Sequence, residues 1–145
     1  MIHKTDYSLR NRNNMQYTEE IKNHVVNNIK SWINEIYQSD PQLNENFSLY
    51  DHIQSKLTLP RTEAEIWFID KYEKTFENYA KEVRVNKVKE LLVYTNLDLP
   101  VIARKLGYFS VKIMSADLMQ VTGLPISFFQ NIKQQKEDTI KRQRI

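Results

Sequence analysis

Apolar residues recur at intervals of three and four through most of the chain, the spacing that gathers side chains on one face of an α-helix. From Thr18, whose hydroxyl can cap a helix ahead of the acidic pair Glu19 and Glu20, the set Ile21, Val25, Ile29, Trp32, Ile33 and Ile36 forms one such stripe. The stripe ends near Ser39, Asp40 and Pro41, because proline disfavours helical geometry in the residue before it. Residues 1–17 show no periodicity and read as a flexible N-terminal arm.

Two short helical patterns follow between Ser48 and Tyr72. Ser48 with Asp51 resembles a capping box, Leu49, Ile53 and Leu57 supply a buried stripe, and Leu59-Pro60 breaks it. Thr62 and Glu65 can cap the next helix, whose apolar side is Ala64, Trp67, Phe68 and Tyr72. From Thr75 to Tyr94 nothing interrupts the pattern, but its face changes: Phe76, Tyr79, Ala80 and Val83 share one direction, and Val85, Val88, Leu91 and Leu92 lie about a third of a turn away. One helix therefore serves two cores. Its 20 or so residues span roughly 30 Å, close to the roughly 34 Å between successive major-groove faces on one side of B-DNA.

The C-terminal stretch repeats the theme. Asp98 and Pro100 open a helix carrying Val101, Ile102, Ala103 and Leu106, and Gly107 ends it. Ser110 caps a second helix that buries Met114, Leu118 and Val121 and stops at Thr122-Gly123; Pro125 to Gln135, with Ile126, Phe128, Phe129 and Ile132, closes the lobe. The chain has two glycines, Gly107 and Gly123, and both stand where a helix must stop or turn. The predicted fold is all-α, about seven helices forming two helix-turn-helix lobes joined by a long central helix. Helical spacing assigns Trp32, Trp67, Phe68, Tyr72, Phe76 and Tyr79 to the first core, while Phe109 stands apart in the turn before the helix that Ser110 caps.

Composition narrows the chemistry. The absence of cysteine excludes disulfides, thiolate metal sites and cysteine nucleophiles. His3, His24 and His52 have no carboxylate or second histidine at metal-ligand spacing, and two separated glycines cannot form a phosphate-binding loop, so neither catalysis nor a cofactor is indicated. No apolar run approaches a membrane span, and the mostly polar stretch after Met1 has no apolar signal-peptide core; a cytoplasmic protein is expected. The net charge of +3 is unevenly spread: residues 1–100 hold 13 Lys/Arg and 15 Asp/Glu, whereas residues 101–145 hold 8 and 3. A basic C-terminal tail, 137–145, with Lys133 and Lys136 just ahead of it, can attract phosphate whatever the sequence.

The run RVNKVKELL from Arg84, then LDLPVIARKLGY, FS, VTGL and the pair Phe128-Phe129 resemble, at matching spacing and without a gap, the DNA-binding domain of AraC-type transcription regulators. The stretch from Phe47 to Tyr79 is similar to that family's first helix-turn-helix, and the resemblance covers roughly residues 20–135. It implies an AraC-type domain over 18–136, with a first lobe 18–75, a linking helix 76–95 and a second lobe 96–136. It also implies a sequence-specific transcription regulator that lays recognition helices near Arg61–Tyr72 and Ser110–Gln120 into successive major grooves. The implied partner is double-stranded DNA, with RNA polymerase or another protein as a second; the implied setting is the bacterial cytosol, as a monomer or weak dimer.

Carried onto this chain, the groove-facing positions are Arg61, Thr62, Glu65 and Ile66 in the first helix and Ser110, Val111, Lys112, Ser115 and Ala116 in the second. Arg104, Lys105, Lys133 and Lys136 are the phosphate contacts, and Val111 or Ile113 can touch thymine methyls. The chain departs from the family's pattern at Ile66 and Ala116, where arginine is usual, at Met119-Gln120, and at Glu73, where glycine follows the first recognition helix. Glu63, Glu65, Asp70 and Asp117 near the expected DNA surface define an alternative: a degenerate helix-turn-helix scaffold that binds a protein instead.

Overall fold

The computed structural model describes residues 17–143; the rest of the predicted arm, with His3, and Arg144 at the end of the basic tail lie outside the described residues. Seven helices are present among the described residues: α1 Glu19–Ile36, α2 Leu49–Gln54, α3 Arg61–Tyr72, α4 Phe76–Tyr94, α5 Leu99–Lys105, α6 Val111–Thr122 and α7 Ile126–Gln143. None is long and apolar enough to cross a membrane.

The chain divides into two compact units, one containing residues up to 36 and 48–80, the other 37–47 and those from 81 on. In the first, Val25, Val26, Ile29 and Ile33 of α1 are fully buried with Ile53, Ala64, Phe68 and Phe76. Phe68 meets Phe76 edge-on at 5.1 Å and Tyr79 at 5.7 Å between ring centroids, so aromatic packing makes much of this core. Tyr17, read as part of the arm, is buried, its ring edge-on to Trp67 at 5.0 Å. Trp32 and Trp67 are only half-buried, each with a lysine over its ring, Lys56 and Lys22 respectively.

The second unit is built on Val85, Val88 and Leu92 of α4 with Ile102, Ala103, Leu106, Met114, Leu118 and Phe129. Residues 37–47 belong to this unit. The Leu43 N–H donates to the Lys105 carbonyl at 2.9 Å, Lys105 pairs with Asp40 at 2.8 Å, and Lys87 donates to the Ser39 carbonyl at 3.0 Å. Gly107 turns at φ +79° against this segment, where a Cβ would lie 3.2 Å from the Asn44 carbonyl oxygen. Val121, expected in the core, is 36% exposed. The final helix runs on to Gln143, past the expected end at Gln135, helped by residues of good helix propensity between Lys136 and Gln143.

The units repeat at an offset of fifty residues. Leu49 and Leu99 open α2 and α5, Arg61 and Val111 open α3 and α6, Tyr72 and Thr122 close them, and Phe76 and Ile126 start the helices that follow. Glu73 and Gly123, also fifty apart, are both C-caps in the left-handed region, at φ 58° and 73°. The first unit thus makes its turn without glycine. Each of these residues donates its N–H to a carbonyl four residues back, Ile69 and Met119.

Candidate nucleic-acid interface

α3 and α6 are the second helices of the two helix-turn-helix units, and their starts are set by different chemistry. The Ser110 hydroxyl accepts from the Ile113 N–H at 3.2 Å, as its sequence position suggests. α3 instead has Pro60 at its N-cap position, which offers no side-chain cap. Gln54 of α2 supplies the missing acceptor: its Oε1 takes the Arg61 N–H at 2.8 Å while its Nε2 donates to the Leu59 carbonyl at 3.2 Å. Thr62 therefore lies inside the first turn of α3 and does not cap it.

Both helices bury the same side and show the same side to solvent. Ala64 and Phe68 point into the first core, Met114 and Leu118 into the second. On the opposite side Thr62, Ile66, Ile69 and Asp70 are exposed along α3, and Lys112, Ala116, Met119 and Gln120 hold the corresponding places along α6. Ile66 is 65% and Met119 46% exposed, high values for large apolar side chains. Phe109, just before α6, is 75% exposed. Beside α3, an open cleft of about 300 Å³ runs past Lys22, Val26, Ile66, Trp67 and Asp70.

The other expected base contacts are distributed unevenly. Arg61 is half-buried, its guanidinium 4.2 Å from the centre of the Tyr50 ring. Val111 and Ser115 are half-buried, whereas Ser110 is exposed at its cap position. Glu65 is turned into the fold: its Oε2 accepts the Phe76 N–H at 2.8 Å, which caps α4 and places negative charge at that helix's positive end. Its place fifty residues on is taken by Ser115.

Asp117 is likewise occupied. It is 16% exposed and pairs with Arg84 of α4, itself 26% exposed, at 3.0 Å. Arg84 Nε also donates to the Tyr108 hydroxyl at 3.0 Å, and the guanidinium lies 4.7 Å from that ring's centre. Burial pushes the Tyr108 phenol far above its usual range, so it stays protonated at any ordinary pH; burial raises Tyr37, on the other flank of Arg84, as well. Of the four carboxylates expected near the DNA surface, two therefore serve internal roles, and α6 carries no other acidic residue. Sequence reading could not find these partners, because Arg84 and Asp117 are 33 residues apart.

The phosphate candidates also differ. Arg104 is exposed; Lys105 is held by Asp40. Lys133 donates to the Asn96 side chain, and the Lys136 ammonium sits 3.9 Å above the Tyr94 ring centre, arrangements that fix two cations of α7 beside the start of α5 and the end of α4. Among the described residues no group of three or more histidines or carboxylates could hold a metal ion.

No family model matches the sequence, and no curated protein matches it. Solved structures do. The C-terminal domain of AraT, a response regulator from Geobacillus stearothermophilus, aligns at 16% identity over 74% of this chain and 84% of its own, with a TM-score of 0.63. A probable AraC family transcriptional regulator from Rhodopseudomonas palustris aligns at 13% identity over 76% and 97%, TM-score 0.62. The C-terminal domain of the two-component response regulator yesN from Fusobacterium nucleatum aligns at 22% over 71% and 98%, TM-score 0.58. At these identities the likeness is one of fold: the chain has the all-helical, tandem helix-turn-helix architecture of the AraC-type domain.

Proposed function

We propose that this protein is a sequence-specific DNA-binding transcription regulator, reading duplex DNA with the exposed rows of α3 and α6 laid into successive major grooves. The observation that carries the reading is the outward side of α6. With Asp117 tied to Arg84, that side offers Lys112, Ala116, Met119 and Gln120 and no carboxylate, so nothing on it repels a phosphate backbone. Lys112, which has no ion-pair partner among the described residues, is the donor to base edges. Ser110 at the N-terminus of α6, with Thr62 and Arg61 at the start of α3, adds polar contacts.

Arg104, Lys133 and Lys136 hold phosphates, whereas Lys105 keeps its bond to Asp40 and contributes through its charge alone. The proposed setting is the cytosol. Two readers on one chain can address a bipartite site as a monomer, with RNA polymerase as the further partner that regulation requires.

Duplex DNA titrated at increasing salt tests this. Affinity should fall linearly on logarithmic axes, with a slope of about −0.9 for each phosphate neutralised. Absence of binding at low salt rejects the proposal.

A further inference from the structure

The residues that the two reading helices present to solvent share a chemistry that guanine recognition does not use. Along α3 the outward row at spacing i, i+4, i+7 is Thr62, Ile66 and Ile69; fifty residues on, along α6, it is Lys112, Ala116 and Met119. All six are exposed, none is arginine, and five of the six end in a methyl group. Glutamine at 120, which could read adenine, has its Oε1 engaged by Lys81 at 3.0 Å.

The major-groove edge of DNA offers one apolar feature, the C5 methyl of thymine, and apolar side chains pair with it. Exposed isoleucine and methionine in water gain nothing. Set against thymine methyls they remove apolar surface from solvent on both sides. Resting on the duplex-binding reading above, we infer that the protein selects thymine-bearing steps, with Ile66 as the specificity-determining residue of α3 and Ala116 and Met119 as its counterparts in α6. The occupant is nucleic acid and not an apolar protein surface, because the α6 row joins its methyl groups to Lys112, which has no ion-pair partner among the described residues, and carries no carboxylate, a charge pattern suited to phosphate. Lys112 anchors the row at the one position where it can donate to a base edge.

The experiment uses the full chain. Sites are selected from random duplexes, and affinity is measured for the best duplex and for copies in which single thymines are replaced by deoxyuridine, which keeps base pairing and removes only the methyl. Each contacted thymine should lose about fourfold in Kd on replacement, the value for one buried methyl-sized group. In Ile66→Ser the penalty at one step should vanish, with the uracil duplex bound as by the unaltered protein. Ile66→Arg should move the selected base at that step to guanine. Ile66 is largely exposed, so both variants should melt with the parent, and melting curves check it.

A guanine-rich consensus, or duplexes indifferent to uracil, overturns the inference while leaving duplex binding intact. Failure to bind any duplex overturns both and leaves a protein as the occupant of the row.

Discussion

Replacing Asp117 by asparagine separates an internal carboxylate from an exposed one. Asp117 and Arg84 are 16% and 26% exposed and meet at 3.0 Å, between the fully solvated pair, worth up to about 1 kcal/mol, and the fully buried pair, whose rupture costs about 3 to 5 kcal/mol. Asparagine keeps an acceptor for the guanidinium, and Arg84 retains the Tyr108 hydroxyl. A loss of about 1 to 2 kcal/mol is expected, which for a chain of 145 residues lowers the melting temperature by about 3 to 7 °C. Circular dichroism melts at low and at high salt provide the assay, and the loss should persist at high salt because the pair is shielded. An unchanged melting temperature together with tighter DNA binding would refute the reasoning, since that is how a solvated carboxylate facing phosphates behaves.

Glu73→Gly should stabilise the protein by about 0.5 to 1 kcal/mol in urea unfolding, because φ 58° strains any residue with a Cβ; Gly123→Ala should cost about 1 kcal/mol through φ alone, since no atom lies within 4 Å of the added carbon. Glu65→Ala should cost about 1 kcal/mol by taking the acceptor from the Phe76 N–H, with Thr75 still capping α4 at Asn78, and Glu65→Gln, which keeps an acceptor, should lose less. Burial, reinforced by Lys56 and opposed by Glu35, lowers the His52 pKa, so the unfolded chain takes up its proton first; stability should decline as pH falls below about 6.5, and His52→Gln should flatten that decline. Lys112→Ala should relax base preference, whereas Lys133→Ala should weaken all sequences alike and reduce the salt slope by about 1; equal effects from both would contradict the division of roles.

What periodicity can report, the chain reports well. The stripe in α1, the change of face along α4, the serine cap of α6 and the glycine turns at Gly107 and Gly123 are local features, written in residues three or four apart or in one backbone conformation. At Glu73 the residue type gives no sign of a left-handed C-cap; the family resemblance, which puts glycine there, marks the turn, and the match to Gly123 fifty residues later agrees with it. Hidden instead were the uses of Gln54, Glu65 and Asp117, whose partners lie 7, 11 and 33 residues away on other helices. Such side chains look like surface polar groups in a one-dimensional reading, and their removal from the surface changes the charge of the exposed sides of α3 and α6. Residues 37–47 joined the second unit for a similar reason, through backbone and ion-pair contacts to Lys105 that no spacing rule encodes.

The central claim is that α3 and α6 each read a major groove. Interference footprinting addresses it directly: a selected duplex carrying sparse major-groove modifications is partitioned into bound and free fractions. The account predicts two interfering patches whose centres are about 10 base pairs apart, one lost in a variant of the α3 row and the other in a variant of the α6 row. A single patch, or binding indifferent to every major-groove modification, would contradict it.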